Sequence, residues 1–251
     1  MTDETPRRGA PAWLTSGTAS LAVAVVALVL AATSFLTFDG RVRTYLLAHP
    51  QVLQEVSTAL QTQDARLKAE AVNTAAAANP ALLALDPRDP TFGPANAKVT
   101  VIEFFDFRCP GCKSVTPEFM ALMQAHPDVR FVFKDWPILD SAEDDTSQYA
   151  ARAALAAHQQ GKYLPVYQAL LAEPALTHET VDRVLTEQGV DMVAARAAMT
   201  ANDMTRHLVD IHTIGRTLGL IGTPTFFING RATTTIAPAE VAAAIEAAKK
   251  G

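Results

Sequence analysis

The 251-residue chain holds only two cysteines, Cys109 and Cys112, separated by Pro110 and Gly111. They stand where an apolar, β-branched and aromatic run, Val99 to Phe107, gives way to a segment of helical composition. With no other cysteine to pair with, a structural disulfide framework is excluded. Two thiols at this spacing on a helix N-terminus can close on each other through a small ring. The first then lies at the positive end of the helix dipole, beside backbone amides that favour thiolate over thiol. Pro110 suits the first helical turn, where its missing N–H costs nothing. Strand, CxxC and helix in this order make a constellation for thiol–disulfide exchange. Half of a zinc site is one alternative, but no second CxxC exists and the six histidines lack ligand spacing. Two incidental buried cysteines are the other.

A formal net charge of -5 and the absence of a basic stripe argue against a nucleic-acid partner. Residues 18–38, Thr18 to Phe38, run without a charge for about the length that spans a bilayer core as a helix. A cleaved signal peptide would have a shorter apolar core ending at small residues, whereas Phe35, Leu36 and Phe38 prolong this one. The segment therefore reads as an uncleaved anchor, with residues 1–17, including Arg7 and Arg8, as a cytoplasmic tail. Arg41 and Arg43 beyond the span balance the first pair, so charge does not orient it. Redox logic does: a disulfide-exchanging CxxC is useful outside the cytoplasm, which places the catalytic domain in the periplasm on a single-pass inner-membrane anchor.

Residues 39–86 read as a helical stalk and linker. Pro50 can start a helix at Gln51, and Leu46, Leu53, Val56, Leu60 and Leu67 fall on a heptad seam if His49 and Gln63 fill its gaps. The helix over 41–70 is thus either a homo-oligomerisation stalk or an amphipathic helix folded onto its own domain. Asn79-Pro80 should end it, and Asp86 to Pro94 is a breaker-rich linker. The globular domain is expected over 87–251. Its strands are Lys98 to Phe105, Arg130 to Lys134, Thr225 to Asn229 and Ala232 to Ile236. A helix at Lys113 to His126 is kinked by Pro117, a helical insertion covers about 141–221, and a last helix starts at Pro238.

Gly222-Thr223-Pro224 leads straight into the strand TFFIN, so Pro224 belongs at the strand's first residue. If cis, it leaves a backbone edge free to pair with an extended peptide. From about residue 88 onward the chain resembles the thioredoxin-like family, in its DsbA branch with a helical insertion. FFDFRCPGCKSVTPEF matches that branch's active-site strand and helix, and GTPTFFING its cis-proline hairpin. YLLAHPQVLQEV after an anchor resembles the N-terminal extension of the ScsC subgroup, whose members oligomerise. The resemblance implies an α/β, thioredoxin-like fold with an α-helical insertion, preceded by a transmembrane helix and a helical stalk. It makes Cys109 the attacking thiol and Cys112 the buried resolving one, with Pro224 and Thr223 facing the disulfide and holding substrate. Glu103 stands where members carry a buried acid that relays a proton to Cys112, and Lys134 where its charged partner is expected. Two departures bear on direction. Pro-Gly replaces the Pro-His of strongly oxidising members, and threonine precedes Pro224 as in isomerase and ScsC members.

The expected function is a membrane-anchored periplasmic protein-disulfide oxidoreductase, working as oxidase or as isomerase or reductase on protein thiols and disulfides. The reaction needs no cofactor and no metal beyond the Cys109–Cys112 pair, and a membrane redox partner would recycle it. The alternative from another class is a copper-handling protein that uses the cysteines as a soft Cu(I) site.

Overall fold

A computed structural model describes residues 17–251 of the chain. The cytoplasmic tail expected over 1–17 lies almost wholly outside these residues. The chain divides into two units, one ending at Thr62 and the other beginning at Gln63.

The first unit consists of α1 (Gly17–Ala48) and the beginning of α2 (Pro50–Ala78). Among the described residues no single helix is long and apolar enough to cross a membrane. Ser20–Thr33 and Phe38–Ala48, bent by 40° against each other, meet that test only as a pair. Pro50 opens α2, because proline fits the start of a helix and its ring would clash inside one. Leu53, Val56 and Leu60 of the heptad seam are more than half exposed in the single chain.

The second unit is built on a five-stranded sheet. Its strands are β1 (Thr91–Phe92), β2 (Thr100–Phe105), β3 (Arg130–Asp135), β4 (Thr225–Ile228) and β5 (Arg231–Ala232), in the order β1-β3-β2-β4-β5. The central pair β2–β3 is parallel and the other pairings are antiparallel. A parallel pair needs a crossover, and α3 (Pro110–Ala125) supplies it. After β3 come five helices: α4 (Thr146–His158), α5 (Tyr163–Ala172), α6 (His178–Glu187), α7 (Met192–Met199) and α8 (Asn202–Thr217). The terminal helix is α9 (Pro238–Lys250). Pro117 lies inside α3 without ending it. Two expectations are corrected. β1 forms inside the stretch read as a linker, and the hairpin closes on Arg231–Ala232, two residues, rather than on Ala232 to Ile236. Beyond that short ladder Thr233 still gives its N–H to the Phe226 carbonyl, whereas Thr234 and Thr235 turn their hydroxyls to the Glu240 carboxylate.

Both faces of β2 and β3 are covered, which is why these strands read as continuous apolar runs. One face carries Val101, Phe105, Phe131, Phe133 and Phe226 against α3, α5 and α9. The other carries Ile102, Phe104, Val132 and Phe227 against Val72 and Ala76 of α2 and Ile211 of α8. Phe104 and Phe133 are fully buried, each worth about 2–3 kcal/mol of transfer free energy. The side-chain alternation of the strands decides which face each buried polar group meets.

Candidate active site

β2 delivers the chain to the sheet's end, where Asp106 shapes the loop that carries the cysteines. Its buried carboxylate accepts from the backbone N–H groups of Arg108, Ile138 and Leu139 and from the Ser147 hydroxyl, at 2.7–3.1 Å. Its carbonyl takes the Cys109 N–H at 3.0 Å. This one residue ties the CxxC loop to the segment after β3. Cys109 is the N-cap of α3, in extended conformation and without a side-chain cap bond, with Pro110 at the first helical turn. The first amides of α3 thus remain free to face sulfur.

Both thiols are unpaired in this structure. Cys109 keeps 9% of its surface and lies 3.1 Å from the Thr223 carbonyl, while Cys112 is fully buried. The Cys109 thiol is pulled down to about 5. The strongest cause is the Cys112 thiol, which donates to it. The Thr223 hydroxyl and the amides of Cys112 and Gly111 add to this against the cost of burial. For Cys112 the balance is reversed. Burial, the pairing with Cys109 and the negative charge of Glu103 push its pKa far above the ordinary thiol value. One sulfur is therefore a ready nucleophile and the other a protonated reserve.

Pro224 follows a cis Thr223–Pro224 bond and lies against the CxxC turn. A side chain on Gly111 would begin 3.3 Å from Pro224 Cδ and 3.5 Å from both the Thr223 carbonyl and Ile236 Cδ1. The two motifs, more than a hundred residues apart in sequence, thus meet at the sulfur. Beside them opens a groove of about 320 Å³ lined by Ala69, Val72, Ile221, Thr223, Pro224 and Ile236. Ile221 is 74% exposed at its rim.

Glu103 lies buried on the α3-facing side of the sheet, where it accepts from the Tyr167 hydroxyl at 2.9 Å. Burial pushes its carboxyl up to about 8, with Asp135 adding to the rise and Tyr167 opposing it. Lys134 does not serve it. In the parallel register Glu103 pairs with Phe133, and Lys134 pairs with Phe104. Lys134 therefore points through the opposite face, where its ammonium bonds directly to Asp89. His207 completes that cluster, with Nε2 3.4 Å from Asp89 Oδ1, and burial lowers its pKa to about 4. The structure thus unites Cys109, Cys112, Thr223, Pro224 and Glu103 and leaves Lys134 apart. Sequence reasoning missed Asp106, Asp135, Tyr163 and Tyr167. Alternation puts Asp135 on the same face as Phe133, but only the observed register shows that this is the Glu103 face. The two tyrosines, four apart on one helix, were legible as neighbours only once that helix was placed.

A family model described as thioredoxin matches residues 85–247, and one described as the N-terminal domain of the copper resistance protein ScsC matches residues 37–66. Among curated proteins, the Na(+)/H(+) antiporter NhaA 3 of Salinispora tropica is 33% identical over 160 residues. That match covers 60% of this chain but only 23% of the antiporter. Among solved structures, a thioredoxin-like oxidoreductase from Silicibacter pomeroyi DSS-3 shares 36% identity at a TM-score of 0.61, covering 66% of this chain and 95% of that one. The catalytic domain of Proteus mirabilis ScsC shares the fold at 20% identity and a TM-score of 0.62, covering 71% of this chain and 99% of that one. This chain belongs to the thioredoxin family, with the fold of the ScsC and DsbA-like thiol–disulfide exchange proteins.

Proposed function

We propose that the protein exchanges disulfides with protein substrates through Cys109 and Cys112. The observation that carries this reading is the split between the sulfurs. A thiol held near 5 faces Thr223–Pro224, and a buried, protonated thiol stands directly behind it. As an oxidase, the Cys109–Cys112 disulfide is attacked at Cys109 by a substrate thiolate and Cys112 leaves, taking a proton as it does. As a reductase or isomerase, the Cys109 thiolate attacks a substrate disulfide, and Cys112 or another substrate thiol resolves the mixed disulfide. In either direction the buried sulfur gains or loses a proton out of reach of solvent, and Glu103 is the buried acid on that face. Pro224, bearing no N–H, and the neighbouring backbone edge hold the substrate segment as an added strand.

The domain is read as periplasmic and tethered by the apolar segment over 18–38, a reading supported by the redox logic of the site and by the bent apolar pair of helices. The exposed seam of Leu53, Val56 and Leu60, with the match over 37–66, supports assembly of copies through the 41–70 helix. A membrane redox partner would then set the direction of electron flow. Cys112→Ser in the full chain tests the core of the proposal. It should accumulate mixed disulfides between Cys109 and client proteins, released by reductant. Trapping nothing while the wild type binds Cu(I) tightly would move the assignment to metal handling.

A further inference from the structure

Glu103 is not the only acid on its face. Asp135, the last residue of β3, pairs in register with Phe105, two places along from the Glu103–Phe133 pair. Alternation puts both carboxyls on the side covered by α5. Each is about 1% exposed. Tyr163 donates its hydroxyl to Asp135 Oδ2 at 2.8 Å, as Tyr167 does to Glu103 Oε2 at 2.9 Å. The two phenol rings stack at 5.9 Å on successive turns of α5. Glu103 Oε1 and Asp135 Oδ1 are the remaining oxygens, and both are buried without a hydrogen-bond partner. A buried carboxylate with an orphan oxygen is costly, and two on one face cannot both ionise cheaply.

No cation among the described residues relieves them. The Lys134 ammonium is committed to Asp89 across the sheet. Asp106 and Asp89, the other charged groups acting on Asp135, are acids. His158 sits edge-on to Tyr163 at 5.9 Å and is kept neutral by burial. Around Glu103 the neighbours are Tyr167, Asp135 and the Cys112 thiol. Thr116, on the α3 side, turns its hydroxyl to the Cys112 carbonyl.

We propose that Glu103 and Asp135 act as one two-carboxyl proton store for the buried thiol, with Asp135 as the positioning residue that fixes the charge of Glu103. The proposal rests on the disulfide-exchange reading. When Cys112 resolves a mixed disulfide, its S–H proton passes to the Glu103 carboxylate. The Cys109–Cys112 bond forms, and the Cys109–substrate bond breaks. The substrate sulfur leaves with the electron pair as a thiolate, so the substrate is reduced and the cysteine pair oxidised by two electrons. The reverse reaction returns the proton from Glu103 to Cys112. One proton and one charge shared between the carboxyls keep Glu103 able to serve both directions.

The test tracks side-chain carboxyl carbon shifts by NMR in the reduced full-length protein, from about pH 5 to about pH 10, a window around the ordinary and raised carboxyl values. Asp135→Asn removes the neighbouring charge and should lower the Glu103 midpoint by about one unit or more. Tyr163→Phe takes a donor from ionised Asp135, leaves it more often neutral, and should lower Glu103 less. Tyr167→Phe takes the donor from Glu103 itself and should raise it. The pH at which Cys112 resolves a mixed disulfide should move with Glu103, while the thiolate absorbance of Cys109 keeps its wild-type midpoint. A Glu103 midpoint unmoved in Asp135→Asn overturns the proposal, as does movement of Cys109 alongside it. If Asp135→Asn does not fold, an unmoved midpoint in Tyr163→Phe overturns it instead. A wild type that exchanges no disulfide sinks the functional reading alone, since the coupled titration is measured without a substrate.

Discussion

The two faces of the central sheet bury ionisable groups in opposite ways. On one face Lys134, Asp89 and His207 are closed off together, and the charge of the ammonium meets a carboxylate directly. On the other, Glu103 and Asp135 receive only a phenol hydroxyl each. The residues that make the difference, Lys134 and Asp135, are adjacent in sequence. What separates them is strand alternation. The compensated face sets an ammonium against a carboxylate beside a histidine that burial lowers to about 4, as befits a structural cluster. The uncompensated face has two groups poised near 8, and it is the face beside Cys112. Proton chemistry is thus confined to the side of the sheet where a buried sulfur has to change its protonation state.

The largest effect should come from breaking the compensated cluster. Lys134→Met leaves Asp89 buried with the Asp86 N–H and a neutral histidine but no cation, and removal of one partner of a buried ion pair costs about 3–5 kcal/mol. Urea unfolding should show that loss, while the disulfide-exchange rate per folded molecule keeps its wild-type pH profile. A shifted profile would mean that Lys134 reaches Glu103 through the sheet, and the contrast between the faces would fail.

Glu103→Gln probes the other side with the opposite sign. The native carboxyl, raised from 4.5 to about 8, binds its proton more tightly than the unfolded chain does. Its stabilisation is complete below the unfolded value and is lost as pH rises through 8. The glutamine variant of the reduced protein should therefore gain on the order of 4–5 kcal/mol over wild type at about pH 9 and nothing at about pH 4. Resolution of mixed disulfides should slow in the same variant. A stability difference that does not vary with pH would show that Glu103 is not held protonated by burial.

Gly215→Ala on α8 returns to the compensated face with a smaller perturbation. Its Cβ would begin 2.7 Å from Trp136 Cε2, and the ring is buried against Phe104 and cannot swing clear. Overpacking of this kind costs about 1–3 kcal/mol. Thermal unfolding should register it, and exchange kinetics should not. An equal loss of exchange would mean that packing under Trp136 reaches the CxxC turn.

The contrast also marks what the sequence could yield. The strand–CxxC–helix and the Gly-Thr-Pro strand start were legible because proline, cysteine and apolar runs act locally. Their meeting at Cys109 came from family resemblance. Glu103 was legible as buried, since VIEFF is apolar on both sides of it. The pairing with Lys134 failed because register, which no local pattern sets in a parallel pair, decides which face a strand residue meets. β1 escaped notice because two residues pairing with β3 amid Asp and Pro carry no periodic signal. Nothing local to Tyr163 and Tyr167 names their partners, and only the packing of α5 on the sheet shows that their hydroxyls land on two acids.

The smallest predicted effect lies at the reactive end of the uncompensated face. Thr223→Val keeps the shape of the residue before Pro224 and deletes one hydroxyl. That hydroxyl is buried without a direct hydrogen-bond partner, yet it ranks after the Cys112 thiol among the groups that pull Cys109 from 9.0 to about 5. Its removal should raise the Cys109 midpoint by about half a unit, or about 0.7 kcal/mol, read as thiolate absorbance against pH. The depressed thiol stabilises the reduced protein fully above 9.0, and that stabilisation fades as pH falls through 5. The variant should accordingly lose reduced-state stability at neutral and higher pH and match wild type below about pH 4. Glu103 should titrate unchanged, since its neighbours are Tyr167, Asp135 and Cys112. If Cys109 stays near 5 without the hydroxyl, the Cys112 thiol and the first amides of α3 alone set the nucleophile. Thr223 would then act on substrate through its backbone only, and the two ends of this face would be tuned by separate groups.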